Sequence, residues 1–132
     1  MPVVAHSKSG FVKNAVDVVA LAGLLEGIGM AGSGRAYLER VNAFPGQGVG
    51  SMFSLGMSFW GAAGVLAACG IPCQLVAPQD WKRHFGLEKD KADSLALARR
   101  YFPNIDLSRK KDHGRAEALL IARYGAELDA SR

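Results

Sequence analysis

A strand pattern followed by a glycine-rich turn and a long apolar helix, between Ala36 and Cys69, constrains the fold most strongly. Residues 36–41 are short, contain β-branched and aromatic side chains and end at turn-forming residues, which predicts a strand. The glycines of the following turn, residues 44–50, allow the backbone to approach a partner closely. Ser51 is then expected to cap a helix that runs to about Cys69, with its glycines and alanines packed in the core.

Glu39 is the charged residue of this strand and the first candidate for a functional role. Alternation along the strand places it on one face with Tyr37 and Val41. A carboxylate between two apolar neighbours is costly unless it pairs with a metal ion or a cation. The alternative is an edge strand in which Glu39 is solvated or paired with a nearby arginine.

The composition predicts one folded domain over residues 1–132, since 49% of the side chains are hydrophobic and 21% are charged. The longest apolar stretch, Phe59 to Cys69, is judged too short to span a bilayer, and the N-terminus lacks a signal-peptide pattern. We therefore expect a cytoplasmic protein without a membrane partner. Cys69 and Cys73 are interpreted as reduced thiols in the core.

Basic residues are concentrated in the second half of the chain. Residues 78–132 hold 12 of the 16 lysines and arginines, together with 9 of the 12 acids. Local basic clusters occur at Lys82 and Arg83, at Lys89 and Lys91, at Arg99 and Arg100, and at Arg109, Lys110 and Lys111. Such clusters suit a phosphate-rich partner, although each is also explained by a solvated helix face.

The remaining patterns predict an edge strand, a turn and a first helix, then a buried strand and two more helices. These elements are residues 2–5, 6–10, 14–27, 73–77, 78–85 and 91–102, in that order. Gly86 is expected to end the helix before it, and Pro103 the last of them. No internal repeat or long linker interrupts the series.

The last helix is expected to begin after Asp112, as its N-cap, and to run from about Gly114 to Tyr124. His113 and Glu117 are four residues apart, so they project from the same side of its first turn. This carboxylate on an otherwise apolar face suggests a functional role. Complementarity to the helix dipole is the alternative.

Glu39 and Glu117, with Asp112 and His113 beside the latter, form an oxygen-rich set of candidate ligands. Such sets hold Mg²⁺ or Mn²⁺, and two ions about 3.5 to 4 Å apart stabilise in-line attack on a phosphodiester. The prediction requires Glu39 and Glu117 to meet in the fold, which sequence spacing alone does not establish.

Three segments together resemble the RuvC-type Holliday junction resolvases, particularly their phage and prophage branch. They are LERVNAFPGQGVGSMFSLG, LVAPQDWKRHFGLEKDKADSLALARRYFP and KKDHGRAEALLIARYG, in that order along the chain. The resemblance implies an α/β, ribonuclease H-like fold with a mixed sheet flanked by helices. It also implies a bacterial or phage-encoded homodimer that cuts four-way DNA junctions with Mg²⁺ or Mn²⁺.

The resemblance also implies roles for individual residues. Glu39 corresponds to the second catalytic acid and Glu117 to a later one, while His113 falls where such proteins carry Asp or His. Asp112 is a neighbour that is able to take over as ligand. The residues expected to contact DNA are Phe44, Lys82, Arg83, Lys89, Lys91, Lys110, Lys111 and Arg115, with a core role equally open for Phe44.

One family feature has no counterpart in this sequence. The family begins with a strand of the form I-G-I-D-P-G whose Asp bridges the metals, whereas this chain begins MPVVAHSKSG, which resembles a later strand of the sheet. We therefore expect an N-terminally incomplete sheet, and loss of the bridging carboxylate would impair hydrolysis. The alternatives to an active nuclease are an inactive module that binds branched DNA and a fragment that self-associates through its apolar helix.

Overall fold

The computed structural model describes residues 3–8, 11–27, 34–43, 45–87 and 91–131, with the backbone alone for 3–8, 11–15, 91 and 92. Strands and helices both occur in these ranges, so the chain is α/β, as predicted. It divides into two compact units, Met1–Gln74 and Leu75–Arg132, and each unit is described by itself. A single domain over residues 1–132 stays a prediction.

The first unit opens with a β-hairpin. Strand β1 (Val3–Lys8) pairs antiparallel with β2 (Phe11–Val16), in a register that joins Val3 to Val16 and Lys8 to Phe11. The predicted turn at residues 6–8 and the predicted helix start at Asn14 were therefore wrong. Pairing with β1 holds residues 14–16 in a strand, which shows tertiary pairing overriding a local helical spacing.

Helix α1 (Val18–Gly27) begins directly after this hairpin. The carboxylate of Asp17 accepts a hydrogen bond from the backbone N–H of Ala20 at 3.0 Å, which is the arrangement of a helix N-cap. Leu21 is buried on its inner face. The start of this helix lies four residues later than expected, and the residues that follow Gly27, its expected end, lie outside the described residues.

A strand and a long helix form the centre of the first unit, and a second strand follows them in the chain and continues past the unit boundary at Gln74. They are β3 (Ala36–Glu39), α2 (Val49–Ala68) and β4 (Cys73–Val76), and β3 and β4 form a parallel pair. The backbone N–H of Ala36 donates to the carbonyl of Pro72 at 2.8 Å. The predicted order of strand, turn and helix is thus confirmed.

The start of α2 differs from the prediction. Gly48 occupies the N-cap position without a side-chain hydrogen bond, and the helix begins at Val49, so the assignment of Ser51 as cap was wrong. Glycine is tolerated at an N-cap because the position has non-helical backbone angles. Gly46, with φ of 85°, provides the left-handed residue of the preceding turn.

The core of the first unit lies where α2 packs against β2 and α1. Its buried side chains are Val16, Leu21 and Ala62, and the half-buried Leu25, Leu38 and Val65 pack against them. Val76 at the end of β4 is buried, but Leu75 is exposed, so β4 is not the fully buried strand that was predicted. Both cysteines are free, as expected, yet Cys73 is exposed rather than in the core.

Gly61 marks the closest approach within this core. A Cβ atom added at Gly61 would lie 2.8 Å from Cγ1 of Val16 and 3.3 Å from Cγ1 of Val18, whereas one at Gly64 would meet nothing within 4 Å. Gly64→Ala should therefore raise the free energy of unfolding by up to about 1 kcal/mol, through helix propensity alone. Gly61→Ala should lower it by about 1 to 2 kcal/mol, because overpacking outweighs that gain.

Urea denaturation of the two alanine variants and the unchanged chain measures this difference. Both substitutions have the same intrinsic effect on a helix, so Gly64→Ala is the matched control. Equal stabilisation of both variants would show that α2 does not pack on β2 as described.

Much of α2 is exposed, and of its glycines and alanines, which were expected in the core, Ala62 alone is buried. Phe59, Ala62 and Leu66 are buried, but Phe53 and Trp60 are each 69% exposed. Within the described ranges one helix, Val49–Ala68, is long and apolar enough to cross a membrane by length and composition alone. The sequence interpretation considered only the shorter stretch from Phe59 to Cys69, so the absence of a membrane partner stays a prediction.

The second unit is helical. It contains α3 (Pro78–His84), α4 (Lys91–Tyr101), a single 3₁₀ turn (Lys110–Asp112) and α5 (His113–Ala130). The three predicted helices are confirmed, and α5 continues six residues beyond the predicted end. Gly86, with φ of 64°, follows α3 as expected for a residue that ends a helix.

The core of the second unit lies where α5 packs against α3 and α4. Trp81 and Leu120 are its largest fully buried side chains, and Ala98 and Ala116 allow close contact between the helices. The apolar spacing of α4 predicts Leu95, Ala98 and Phe102 on its inner face; Leu95 and Ala98 are buried, whereas Phe102 follows the helix and is half-buried. This packing holds the first turn of α5, where His113 and Glu117 lie, in a defined position.

Candidate functional site

Glu39 is the last residue of β3 and is half-buried. Leu38 packs against the core of the first unit, so alternation directs Glu39 and Tyr37 to the other side of the strand. All four residues of β3 are half-buried, so burial does not separate two faces as the sequence predicted. Glu39 has an interaction partner within the structure, as expected of a carboxylate that is partly removed from water.

His113 and Glu117 lie in the first turns of α5, and both are half-buried. One helical turn separates them, which keeps them on the same side of the helix, as predicted. The buried residues Ala116, Leu120 and Ile121 attach this part of α5 to the core. The two side chains are therefore placed together by a rigid element.

Asp112 has a different environment from the other candidate ligands. Its side chain is 5% exposed, and both of its carboxylate oxygens accept hydrogen bonds from Arg109. Hydrogen bonds from the Arg109 side chain and backbone hold the pKa of Asp112 below its usual value, and the same pair raises the pKa of Arg109. Asp112 occupies the N-cap position of α5 as predicted, but its side chain makes no cap hydrogen bond to that helix.

The predicted meeting of Glu39 and Glu117 stays a prediction, because Glu39 belongs to the first unit and Glu117 to the second. Among the residues that the structure describes, no three His, Cys, Asp or Glu side chains group closely enough to hold a metal ion. The carboxylates of Glu39 and Glu117 are of the ligand type that suits Mg²⁺ or Mn²⁺. Asp112 fits less well, because its oxygens are engaged by Arg109.

Several predicted DNA contacts lie on the surface of the second unit. Arg83, Lys110, Lys111 and Arg115 are exposed. Lys82 is half-buried, with its ammonium 5.5 Å from the centroid of the Trp81 ring, a cation–π arrangement that restrains it. Phe44, Lys89 and the side chain of Lys91 lie outside the described residues.

The sequence interpretation missed a network on α5 beyond the candidate site. Glu127 binds both His84 and Arg123, at 2.6 and 2.8 Å, and the guanidinium of Arg123 lies 3.7 Å from the centroid of the Tyr101 ring. The ion pair of Arg123 and Glu127 could have been predicted from the sequence, because the two residues are four apart on one helix. The contact of Glu127 with His84 could not have been predicted from the sequence, because 43 residues separate the two partners.

This network should make stability depend on pH. The hydrogen bond with His84 and that with Arg123 lower the pKa of Glu127 relative to its ordinary value. Their contribution to the free energy of unfolding is therefore present above that ordinary value and is lost as the pH falls through the lowered one. Glu127→Gln should lower the free energy of unfolding by about 1 kcal/mol at neutral pH, because Glu127 is partly exposed.

Urea denaturation at neutral and acidic pH measures this effect. The difference between Glu127→Gln and the unchanged chain should shrink towards acidic pH. Glu26→Gln, at an exposed position near the end of α1, is the control and should change little. A Glu127→Gln difference that stays constant across the pH range would contradict the assignment.

Comparison with known proteins supports the resemblance noted in the sequence. No protein-family model matches this chain. Over 92 residues, which cover 67% of the chain, it is 38% identical to the protein named Holliday junction resolvase MOC1, chloroplastic, of Chlamydomonas reinhardtii. The match covers 10% of that protein, so the chain spans about a tenth of the length of the curated relative it matches. This similarity supports a relationship to the Holliday junction resolvases.

Proposed function

We propose that this chain is a metal-dependent endonuclease of the RuvC type that cuts four-way DNA junctions. The observation that carries the proposal is the 38% identity over 92 residues to a protein named as a Holliday junction resolvase. The first turns of α5 add support, because they place His113 and Glu117 close in the chain to the exposed Lys110 and Lys111. A hydrolytic site for DNA needs both kinds of group, ligands for cations and contacts for phosphate.

In this proposal the carboxylates of Glu39 and Glu117 hold Mg²⁺ or Mn²⁺, which supplies charge stabilisation and an activated water. His113, one turn before Glu117, is the residue that accepts or returns the proton of the attacking water. Lys110, Lys111 and Arg115 bind the DNA backbone without reading sequence. Lys82 and Arg83 extend the basic surface along α3, and Lys89, Lys91 and Phe44 are further candidate contacts.

The finer parts of the proposal come from the resemblance. They are a ribonuclease H-like fold, a homodimer, and an origin in a bacterium or a phage with a cytoplasmic location. A dimer suits a junction because two related active sites are needed to cut two strands symmetrically. The parallel pairing of β3 and β4, connected through α2, is compatible with this fold.

The test is incubation of the purified chain with a labelled four-way junction, with and without Mg²⁺ or Mn²⁺, and with a linear duplex of matched sequence. Symmetric nicking that requires the metal is the expected result. Selective binding without nicking would favour the alternative of an inactive module that binds branched DNA. The pairing of Asp112 with Arg109 supports that alternative, because it occupies one of the candidate metal ligands. Absence of junction binding would overturn the proposal.

A further inference from the structure

The segment from Asp106 to Asp112 is held at several points by contacts within the second unit. The carbonyl of Leu107 accepts a hydrogen bond from Nε of Arg99 at 2.8 Å, and the Leu107 side chain is only 2% exposed. The carboxylate of Asp106 accepts the backbone N–H of Ser108 at 3.0 Å. These contacts fix the first half of the segment to α4 and to the core.

The second half is fixed by Asp112 and Arg109. One carboxylate oxygen of Asp112 accepts the backbone N–H of Arg109 at 3.0 Å and its Nε at 3.3 Å. The other oxygen accepts Nη2 of Arg109 at 2.8 Å. A bidentate pair that also takes the backbone N–H closes a small loop, and it defines the direction of the two residues inside it.

Those two residues are Lys110 and Lys111, which are exposed and, together with Asp112, form the 3₁₀ turn that leads directly into α5. Arg109 directs two of its five N–H donors at Asp112, so its charge is paired within the chain although its side chain is 58% exposed. The charge available to an external phosphate in this loop is therefore mainly that of the two lysines. Their direction depends on the Arg109–Asp112 pair.

We propose that Asp112 is a positioning residue, which acts through Arg109 to hold Lys110 and Lys111 ready for a DNA phosphate beside His113 and Glu117. This inference rests on the proposed function for its DNA partner, and it replaces the role of metal ligand expected for Asp112. A carboxylate that is buried and bidentate with an arginine would have to break that pair to bind a metal ion. A loop that is ordered before binding loses less freedom when the complex forms.

Asp112→Asn separates this role from simple electrostatics. The substitution removes a negative charge, so charge alone would strengthen DNA binding. If Asp112 orders the loop, binding to a four-way junction in EDTA should instead weaken, by about tenfold. Asp93→Asn, at an exposed position in the first turn of α4, makes the same change in charge and should leave binding equal or slightly tighter.

Arg109→Ala and Arg109→Lys test the pair from its other member. Arg109→Ala should weaken metal-free junction binding as Asp112→Asn does, and Arg109→Lys should recover part of it, because lysine retains one charged contact. Thermal denaturation shows that each variant is folded at the temperature of the binding measurement. Unchanged binding in Asp112→Asn and Arg109→Ala would overturn the inference.

Two further readouts keep this inference distinct from the proposed function. Amide hydrogen exchange of residues 107–111 should become faster in Asp112→Asn, and unchanged exchange would refute the ordering role even in a chain that cuts junctions. In cleavage assays the concentration of Mg²⁺ that gives the half-maximal rate should be the same for Asp112→Asn as for the unchanged chain. A higher Mg²⁺ requirement with normal metal-free binding would make Asp112 a metal ligand and overturn the inference. Absence of junction binding by the unchanged chain would defeat the proposed function, whereas the exchange result still tests the loop.

Discussion

Glu39→Gln is expected to abolish metal-dependent cleavage of a four-way junction while leaving junction binding intact. Glutamine keeps the size of the side chain but removes the negative charge that a divalent cation requires. Loss of an outer partner of a metal ligand already costs about 10- to 100-fold, so loss of a ligand should cost more than about 100-fold. Single-turnover cleavage with Mg²⁺ and binding in EDTA measure the two effects separately.

Glu26→Gln is the matched control for this experiment. It removes the same charge from the same unit, at an exposed position on α1, and should leave cleavage unchanged. Denaturation of both variants would show whether the half-buried position of Glu39 affects stability. Retained cleavage in a folded Glu39→Gln chain would remove Glu39 from the site.

Lys110→Glu combined with Lys111→Glu is expected to weaken junction binding by more than about tenfold and to flatten its salt dependence. Each phosphate contact contributes about 0.9 to the slope of log affinity against log salt for duplex DNA. Loss of two contacts should therefore make the slope less steep by about 2. Affinity measured in EDTA over a series of salt concentrations tests both quantities.

Arg100→Glu is a suitable comparison, because it reverses one exposed charge in the last turn of α4, outside the 3₁₀ turn. It should reduce affinity less than Lys111→Glu does, with a smaller change in slope. Equal effects of the two single reversals would mean that general net charge explains binding. An unchanged slope in the double variant would refute the assignment of this loop to DNA.

Local patterns predicted the elements whose observed conformation agrees with their own start, end and periodicity signals. The helices α3 and α4 and the beginning of α5 follow from an apolar face, a proline at the start or a glycine at the end. The strand β3 follows from its β-branched and aromatic composition between turn residues. The side-by-side placement of His113 and Glu117 follows from helical spacing alone.

Local patterns failed where a distant partner decides the conformation. Residues 14–16 have helical spacing but lie in β2, because pairing with β1 supplies backbone hydrogen bonds and cross-strand contacts. The glycines and alanines of α2 were expected in the core, yet only one side of this helix packs against β2 and α1, and Phe53 and Trp60 are exposed. The composition of a helix shows that it is apolar, but it does not show which side of the helix packs against another element.

For the candidate site, the sequence by itself determined which residues carry charge and which of them share a helical turn, because both depend on chain spacing. It also determined the resemblance to junction resolvases, because that rests on the order of three motifs. Only the tertiary structure decided that Asp112 is engaged by Arg109 and that the 106–112 segment is anchored by Arg99. The physical reason is that a carboxylate in a loop has several possible partners at similar chain distance, and chain spacing does not state which of them it meets in the folded structure.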